Sequence, residues 1–338
     1  MTGTRRFREG GPVENSRNLI RCRYSAGEFA SPFAASGHRM LPLKVFFVLA
    51  ALASIGPQTA SAQENPGALG AEGEPGRMQQ WRLPTPARDT LSHALLFRPP
   101  GDGPFALAVI AHATTQNVLR RAQMAQPEYR ALAAWLVARG FAVLVPERPG
   151  HGATGGKYLE DQGGCDEADY FRSGRATADA IASAAGFIRQ QSFIKPNGMV
   201  IVGHSAGGWG ALALATKDPN DIAAIIVFAA GRGGRANDFP NQVCAPHTLL
   251  AAAREFGRGA RVPVTWLVAA NDSYFWPAFS RQLADAFRTG GGKVDFQLLP
   301  ASGGEGHWLA ETESGVRLAA PYLDRALRAT RPAAAARR

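Results

Sequence analysis

The stretch "IVGHSAGGWG" at 201–210 sets Ser205 between glycines two places away on either side, Gly203 and Gly207. A serine hydroxyl is a poor nucleophile at neutral pH. It becomes an effective one when an imidazole takes its proton and a carboxylate orients that imidazole. The flanking glycines suit a turn so tight that side chains at those positions would collide, and such a turn lifts the Ser205 hydroxyl clear of the backbone. It also aims the Ala206 N–H, at the start of a helix, toward negative charge forming on a bound carbonyl. The architectural alternative is that Gly203 and Gly207 only permit close packing while Ser205 caps a helix.

The elements around this stretch favour the chemical reading. Short apolar runs at 105–111, 141–146, 199–203, 222–230, 264–270 and 294–300 read as strands, and 128–138, 174–190, 206–217, 247–256, 278–288 and 316–329 read as helices. Runs apolar on both faces suit strands buried between helix layers, and regular alternation implies a parallel sheet with right-handed crossovers. Residues 79–98 supply one or two leading strands, antiparallel in character. Ligands of such a sheet sit beyond the carboxyl ends of its strands. Ser205 falls there, between a buried strand and a helix.

Seven histidines are available: His38, His93, His112, His151, His204, His247 and His307. In α/β-hydrolases the acid and the base follow the nucleophile in the order Ser, Asp or Glu, His, which leaves His247 and His307. His307 lies in the glycine-rich loop "ASGGEGHWLAE" after the last strand, whereas His247 begins a helix, so His307 is the preferred base. Asp272 follows the strand at 264–270 and is the preferred carboxylate, although Asn271-Asp272 is also ordinary turn chemistry. The loop "AHATTQN" at 111–117 should provide a second backbone donor to an oxyanion, at Thr114 in preference to Ala113 or Thr115.

Composition bounds the rest. Residues 45–55, "VFFVLAALASI", preceded by Lys44 and followed by Gly56-Pro57 and Ala60-Ser61-Ala62, read as a secretory signal peptide cleaved after Ala62, with Met40 an alternative start. The run is short of the ~20 residues that span a bilayer, so a stable membrane anchor is not expected. The chain holds 37 Lys and Arg against 27 Asp and Glu, a formal charge of +10. Residues 1–62 carry eight of the basic and three of the acidic residues, and without them the charge falls to +5. Much of the basic excess therefore belongs to the leader and to the Arg-rich tail, which speaks against a nucleic-acid partner. The expected organisation is a leader at 1–62, a disordered lead-in at 63–77, one domain at 78–330 and a disordered tail at 331–338.

With "HATT", "RPGHG", "GHSAGG", "ANDSYF" and "GEGHW" in this order, the chain resembles α/β-hydrolases of the dienelactone-hydrolase-like, secreted serine-hydrolase group over residues 90–328. The resemblance implies an α/β fold with a mostly parallel central sheet of about eight strands and helices on both faces. It implies a triad of Ser205, Asp272 and His307, an oxyanion hole of Ala206 and Thr114, a small-molecule ester substrate and no cofactor. The chain departs from the group in two places. The namesake enzymes use cysteine where this chain has Ser205, so their lactone substrate is not carried over. The oxyanion loop commonly reads His-Gly, and here it is His112-Ala113. A serine peptidase or amidase, and a non-catalytic binding protein on the same fold, remain alternatives.

Four further features bear on the pocket or its surroundings. Cys165 and Cys244 lie in long loops on the nucleophile's side of the sheet, and in an exported chain they are expected to form a disulfide across it. Trp209, Tyr274, Phe275, Trp276 and Trp308 neighbour triad positions in sequence, and are read either as an apolar pocket or as core. Gly150-His151-Gly152 is expected to shape a loop near the site. Asp166, Glu167 and Asp169 read as a solvated loop in preference to a cation-recognition site.

Overall fold

In the computed structural model of the chain, which describes residues 65–329, the apolar runs become strands of one sheet. These are β1 (Gly67–Gly73), β2 (Met78–Pro84), β3 (Leu91–Phe97), β4 (Ala106–Ala111), β5 (Phe141–Pro146), β6 (Met199–His204), β7 (Ile222–Phe228), β8 (Val264–Ala269) and β9 (Val294–Leu299). Their spatial order is β1-β2-β3-β5-β4-β6-β7-β8-β9. The β1–β2, β2–β3 and β3–β5 pairs are antiparallel and the remaining pairs parallel. Seven α-helices accompany them: α1 (Val118–Ala122), α2 (Arg130–Val137), α3 (Tyr170–Ile188), α4 (Ala206–Ala213), α5 (Pro246–Gly257), α6 (Pro277–Thr289) and α7 (Glu313–Ala329).

Alternation along the strands sorts the core into two layers, because successive side chains of a strand point to opposite faces. Leu107, Val109, Ile201, Ile225, Val227, Trp266 and Val268 pack with residues of α3, α4, α5 and α6. Ala108, Ile110, Val200, Val202, Ile226, Phe228 and Leu267 pack with residues of α2 and α7. Each fully buried Leu, Ile or Val is worth about 1.5–3 kcal/mol relative to exposure. Helix α3 shows how sequence meets this layer. Ala178, Ile181, Ala184, Ala185 and Ile188 form one buried stripe, and Asp169 caps the start by accepting from the Arg172 amide at 2.9 Å.

Strand order determines where a site can form. From β4 the chain crosses by α2 to β5 on one side, and from β5 by α3 to β6 on the other, so β4 and β6 flank the topological switch point. They pair in parallel with Ala111 opposite Gly203, so the loop after β4 and the turn after β6 leave the sheet side by side.

The α/β fold with a mostly parallel sheet and helices on both faces agrees with the expectation, and among the described residues the sheet has nine strands instead of about eight. The ninth, β1, falls in residues 63–77, which had been expected to be disordered. That segment has few apolar residues to reveal it. Strand β1 is largely exposed and is held as an antiparallel partner of β2, by backbone pairing that composition does not report. The leader at 1–62 and the tail at 331–338 lie outside the described residues, as does the proposed cleavage point. Among the described residues no helix is long and apolar enough to cross a membrane.

Candidate active site

Ser205 occupies the turn between β6 and α4 with φ 54° and ψ −118°, a conformation that costs a non-glycine residue about 1–3 kcal/mol. The glycines make it possible. A Cβ on Gly207 would lie 2.1 Å from the Ala111 carbonyl oxygen, and one on Gly203 would lie 2.5 Å from the Gly208 Cα. The elbow is therefore pressed against β4 and against the first turn of α4. It is further tied down by the Ser205 amide donating to Phe228 O at 2.9 Å and by the Gly231 amide donating to Ser205 O at 3.2 Å. Ser205 caps nothing with its side chain.

Asp272 and His307 meet across 35 positions, with Nδ1–H of the ring donating to Asp272 Oδ2 at 3.2 Å. Both residues are almost wholly buried. Asp272 also fills its turn role, since its Oδ1 accepts from the amides of Tyr274 (2.8 Å) and Phe275 (3.0 Å). Turn former and ring orienter are thus one carboxylate using its two oxygens separately. Glu305 adds a second tie, with Oε1 accepting from the amides of His307 and Ser273 at 3.0 Å each. Tyr274 stacks on the His307 ring with centroids 4.0 Å apart. Burial lowers the His307 pKa below the ordinary imidazole value, against the opposing bond and charge of Asp272, so the ring is neutral at pH 7.

With Nδ1 engaged, Nε2 is the ring nitrogen left to serve Ser205. His307 and Ser205 line the same open cavity of about 1160 Å³. Among the described residues no direct hydrogen bond joins Ser205 Oγ to the ring, and bonds of this kind often tighten only when substrate arrives. His247, the other downstream candidate, is exposed at the start of α5 and is not among the residues lining the cavity.

Several polar atoms of the loop after β4 are held by hydrogen bonds. Arg148 donates its amide to His112 Nε2 (3.1 Å) and its Nη1 to His112 O (2.9 Å). His112 Nδ1–H donates to Ala113 O at 2.6 Å, and the Ala113 amide donates to the Tyr129 hydroxyl at 3.2 Å. The Thr114 hydroxyl donates to Nε2 of His151, whose Nδ1–H is directed at Arg148 O, 2.9 Å away. Burial first, and then the Arg148 charge, keep His112 well below the usual imidazole range. Burial is also the chief cause of the His151 value of about 4, so both rings are neutral acceptors at pH 7. The Thr114 amide has no protein partner among the described residues, and neither does that of Ala206; both residues line the cavity. Of the three loop amides considered as donors, that of Ala113 is engaged, while those of Thr114 and Thr115 have no protein partner among the described residues.

A buried ionic cluster lies behind this wall. Arg148 Nε and Arg232 Nη2 both donate to Glu160, and all three side chains are about 1% exposed. Burial would raise the Glu160 pKa, but the two guanidinium charges outweigh it and hold the carboxyl well below the usual range. Cys165 and Cys244 are joined in a disulfide, as expected, linking the loop that carries Glu160 to the one that carries Arg232. Of the five aromatic residues singled out, Tyr274, Phe275 and Trp308 line the cavity. Trp209 and Trp276 are packing residues, the first donating Nε1–H to Tyr170 O at 2.8 Å and the second stacked on Phe279. Asp166 and Glu167 are exposed, and Asp169 is a helix cap.

Sequence reasoning missed Tyr129, Arg148, Glu160, Arg232, Glu305 and Glu311. Only Arg148 and Glu305 carried a signal, sitting within "RPGHG" and "GEGHW"; the others bear on the site through contacts between distant loops.

Known proteins carry the same framework. Residues 121–256 match the family model for serine aminopeptidase, S33. No curated protein matches the sequence. Among solved structures, the chain is similar to a protein assigned as a dienelactone hydrolase from Klebsiella pneumoniae, at 15% identity and a TM-score of 0.51, covering 75% of this chain and 97% of that one. An esterase from Pyrococcus furiosus matches at 13% identity and a TM-score of 0.52, over 78% of this chain and 97% of its own. A puromycin-hydrolyzing peptidase from Mycobacterium tuberculosis matches at 18% identity and a TM-score of 0.51, over 72% of this chain but only 37% of its own. With its switch-point elbow and strand order, the chain has the α/β-hydrolase fold.

Proposed function

We propose that the protein is an exported serine hydrolase that cleaves carboxylic esters through an acyl-enzyme. Ser205 Oγ attacks the ester carbonyl while His307 Nε2 takes its proton, and Asp272 steadies the imidazolium that results. The amides of Ala206 and Thr114 receive the developing oxyanion, each such donor contributing about 10²–10³ in rate. Collapse releases the alcohol with the proton from His307, and water repeats the sequence on the acyl group. The observation that carries this reading is the left-handed Ser205 elbow sharing one cavity with an Asp272-held His307 and two unpartnered amides. Met124, Phe275 and Trp308 give that cavity an apolar side for the acyl or alcohol portion. The Cys165–Cys244 disulfide supports export, since such bonds persist in oxidising compartments.

A second reading, hydrolysis of amides or peptides by the same residues, draws on the description of the matched family model and on the peptidase among the similar structures. A fluorophosphonate probe with peptide mapping tests the first step: labelling is expected at Ser205 and is lost in Ser205→Ala. Absence of labelling in the wild-type protein would leave a non-catalytic binding module. A panel of p-nitrophenyl esters of graded chain length beside peptide amides then decides between the two substrates, with turnover of esters alone expected.

A further inference from the structure

Tyr129 stands at the entry to α2 with φ 47° and ψ 40°, a left-handed conformation rare for a bulky residue and sustained only where surrounding contacts fix it. The residue is 6% exposed, and its hydroxyl joins three loops that sequence keeps far apart. It accepts the Ala113 amide at 3.2 Å, from the loop after β4. It lies 2.9 Å from His204 Nδ1, on the residue that immediately precedes Ser205. The same His204 nitrogen lies 3.2 Å from Glu311 Oε1, four positions beyond His307. The other His204 nitrogen, Nε2–H, donates to the His307 carbonyl at 2.8 Å. His204 is 1% exposed, and Glu311, whose side chain is 42% exposed, closes the hub on the solvent side.

We infer that Tyr129 is a positioning residue for the reaction proposed above, its hydroxyl and the His204–Glu311 pair holding the oxyanion loop and the base loop in register with the Ser205 elbow. The inference rests on that reading of the site. The physical reason is the Ala113 amide, which is buried and carries an uncompensated desolvation cost when unpaired. Without the hydroxyl, the 112–113 peptide turns toward another acceptor, and the next peptide plane along carries the Thr114 amide. Oxyanion donors tolerate only about 0.5 Å of misplacement. A loss of registry therefore appears in the transition state, while substrate binding, which does not use that donor, is retained.

The test compares the full-length wild-type protein, Tyr129→Phe and Glu311→Gln. Each is assayed for steady-state kinetics on a short soluble p-nitrophenyl ester, for the rate of fluorophosphonate inactivation, and for amide hydrogen exchange over residues 112–114. Tyr129→Phe is expected to lower kcat and the inactivation rate together by about 10- to 100-fold, with KM within about twofold, and to speed exchange at Ala113. Glu311→Gln, which keeps the side-chain shape, is expected to lower kcat several-fold with the same KM pattern, and decides the matter if Tyr129→Phe does not fold. Folded variants with wild-type kcat, inactivation rate and exchange would overturn the inference, as would an equal rise in KM. A wild-type protein that neither turns over ester nor takes the probe defeats the reading of the site, and Ala113 exchange then still decides whether Tyr129 holds the loop.

Discussion

At the scale of single residues, the proposed reaction depends on one proton acceptor kept neutral and oriented. Burial lowers the His307 pKa, and Asp272 partly restores it by hydrogen bond and charge. The basic form is the working one, so activity is present above the His307 pKa and lost as pH falls through it. The acid limb of kcat/KM is expected below 6.5, the ordinary imidazole value. In Asp272→Asn the carboxylate charge and the hydrogen bond that raise the His307 pKa are weakened. A pH–rate profile should then show the limb moved further to acid and the plateau lowered by about 10⁴-fold, because the amide no longer enforces the working tautomer. A limb unmoved by the substitution would mean that some group other than His307 titrates. The placement of Ser205 in a strand-to-helix turn was legible in the sequence, because the glycines around it express a local steric demand. Tyr129 and Glu311 were not, because a tyrosine and a glutamate in polar loops have no distinguishing neighbours along the chain.

At the scale of elements, the elbow is a packing problem solved by missing side chains. Helix α4 approaches β4 closely enough that a methyl group at 207 would overlap the Ala111 carbonyl, which is backbone and has little room to retreat. Gly207→Ala is expected to destabilise the protein by about 1–3 kcal/mol. It should also cut the fluorophosphonate labelling rate more than tenfold, because the relaxation displaces Ser205. Thermal melts beside labelling kinetics read both effects, and an unchanged melt with an unchanged rate would show that the elbow has slack. The strands from β4 to β9 and the helices packed on them were legible because burial repeats with their own periods. Strand β1 was not, since an exposed, glycine-rich edge is held by backbone hydrogen bonds to β2. The short α1 was missed for a related reason: over its five residues only Arg121 is buried, so it has no apolar stripe to display.

At the scale of the whole molecule, the loops over the carboxyl edge are cross-braced. The Cys165–Cys244 bond closes a span of 79 positions, and Glu160, bound by both Arg148 and Arg232, ties the same loops from beneath. In the chain-entropy account the disulfide contributes up to about 4.5 kcal/mol by restricting the unfolded chain. Reduction, or the Cys165→Ala/Cys244→Ala pair, is expected to lower the melting temperature by several degrees or more while the Ser205 labelling rate stays within a few-fold. Glu160 and its two arginines persist without the covalent link. Melting and labelling of oxidised and reduced protein would check this. Loss of labelling with little change in melting would instead place the disulfide in the site's own geometry.

The sequence by itself determined the alternation of strands and helices, the elbow at Ser205, and the order in which Ser205, Asp272 and His307 occur. Those features follow from local periodicity and from steric demands that a few adjacent residues express. Only the tertiary structure decided that the Ala113 amide of the loop after β4 is engaged, which side chains brace that loop, and that one carboxylate both forms a turn and orients His307. These outcomes depend on contacts such as Arg148 with His112, 36 positions apart, and His204 with the His307 carbonyl, 103 apart. Polar contacts between distant loops leave no period in the chain, because each is determined by where strand order brings the loop ends.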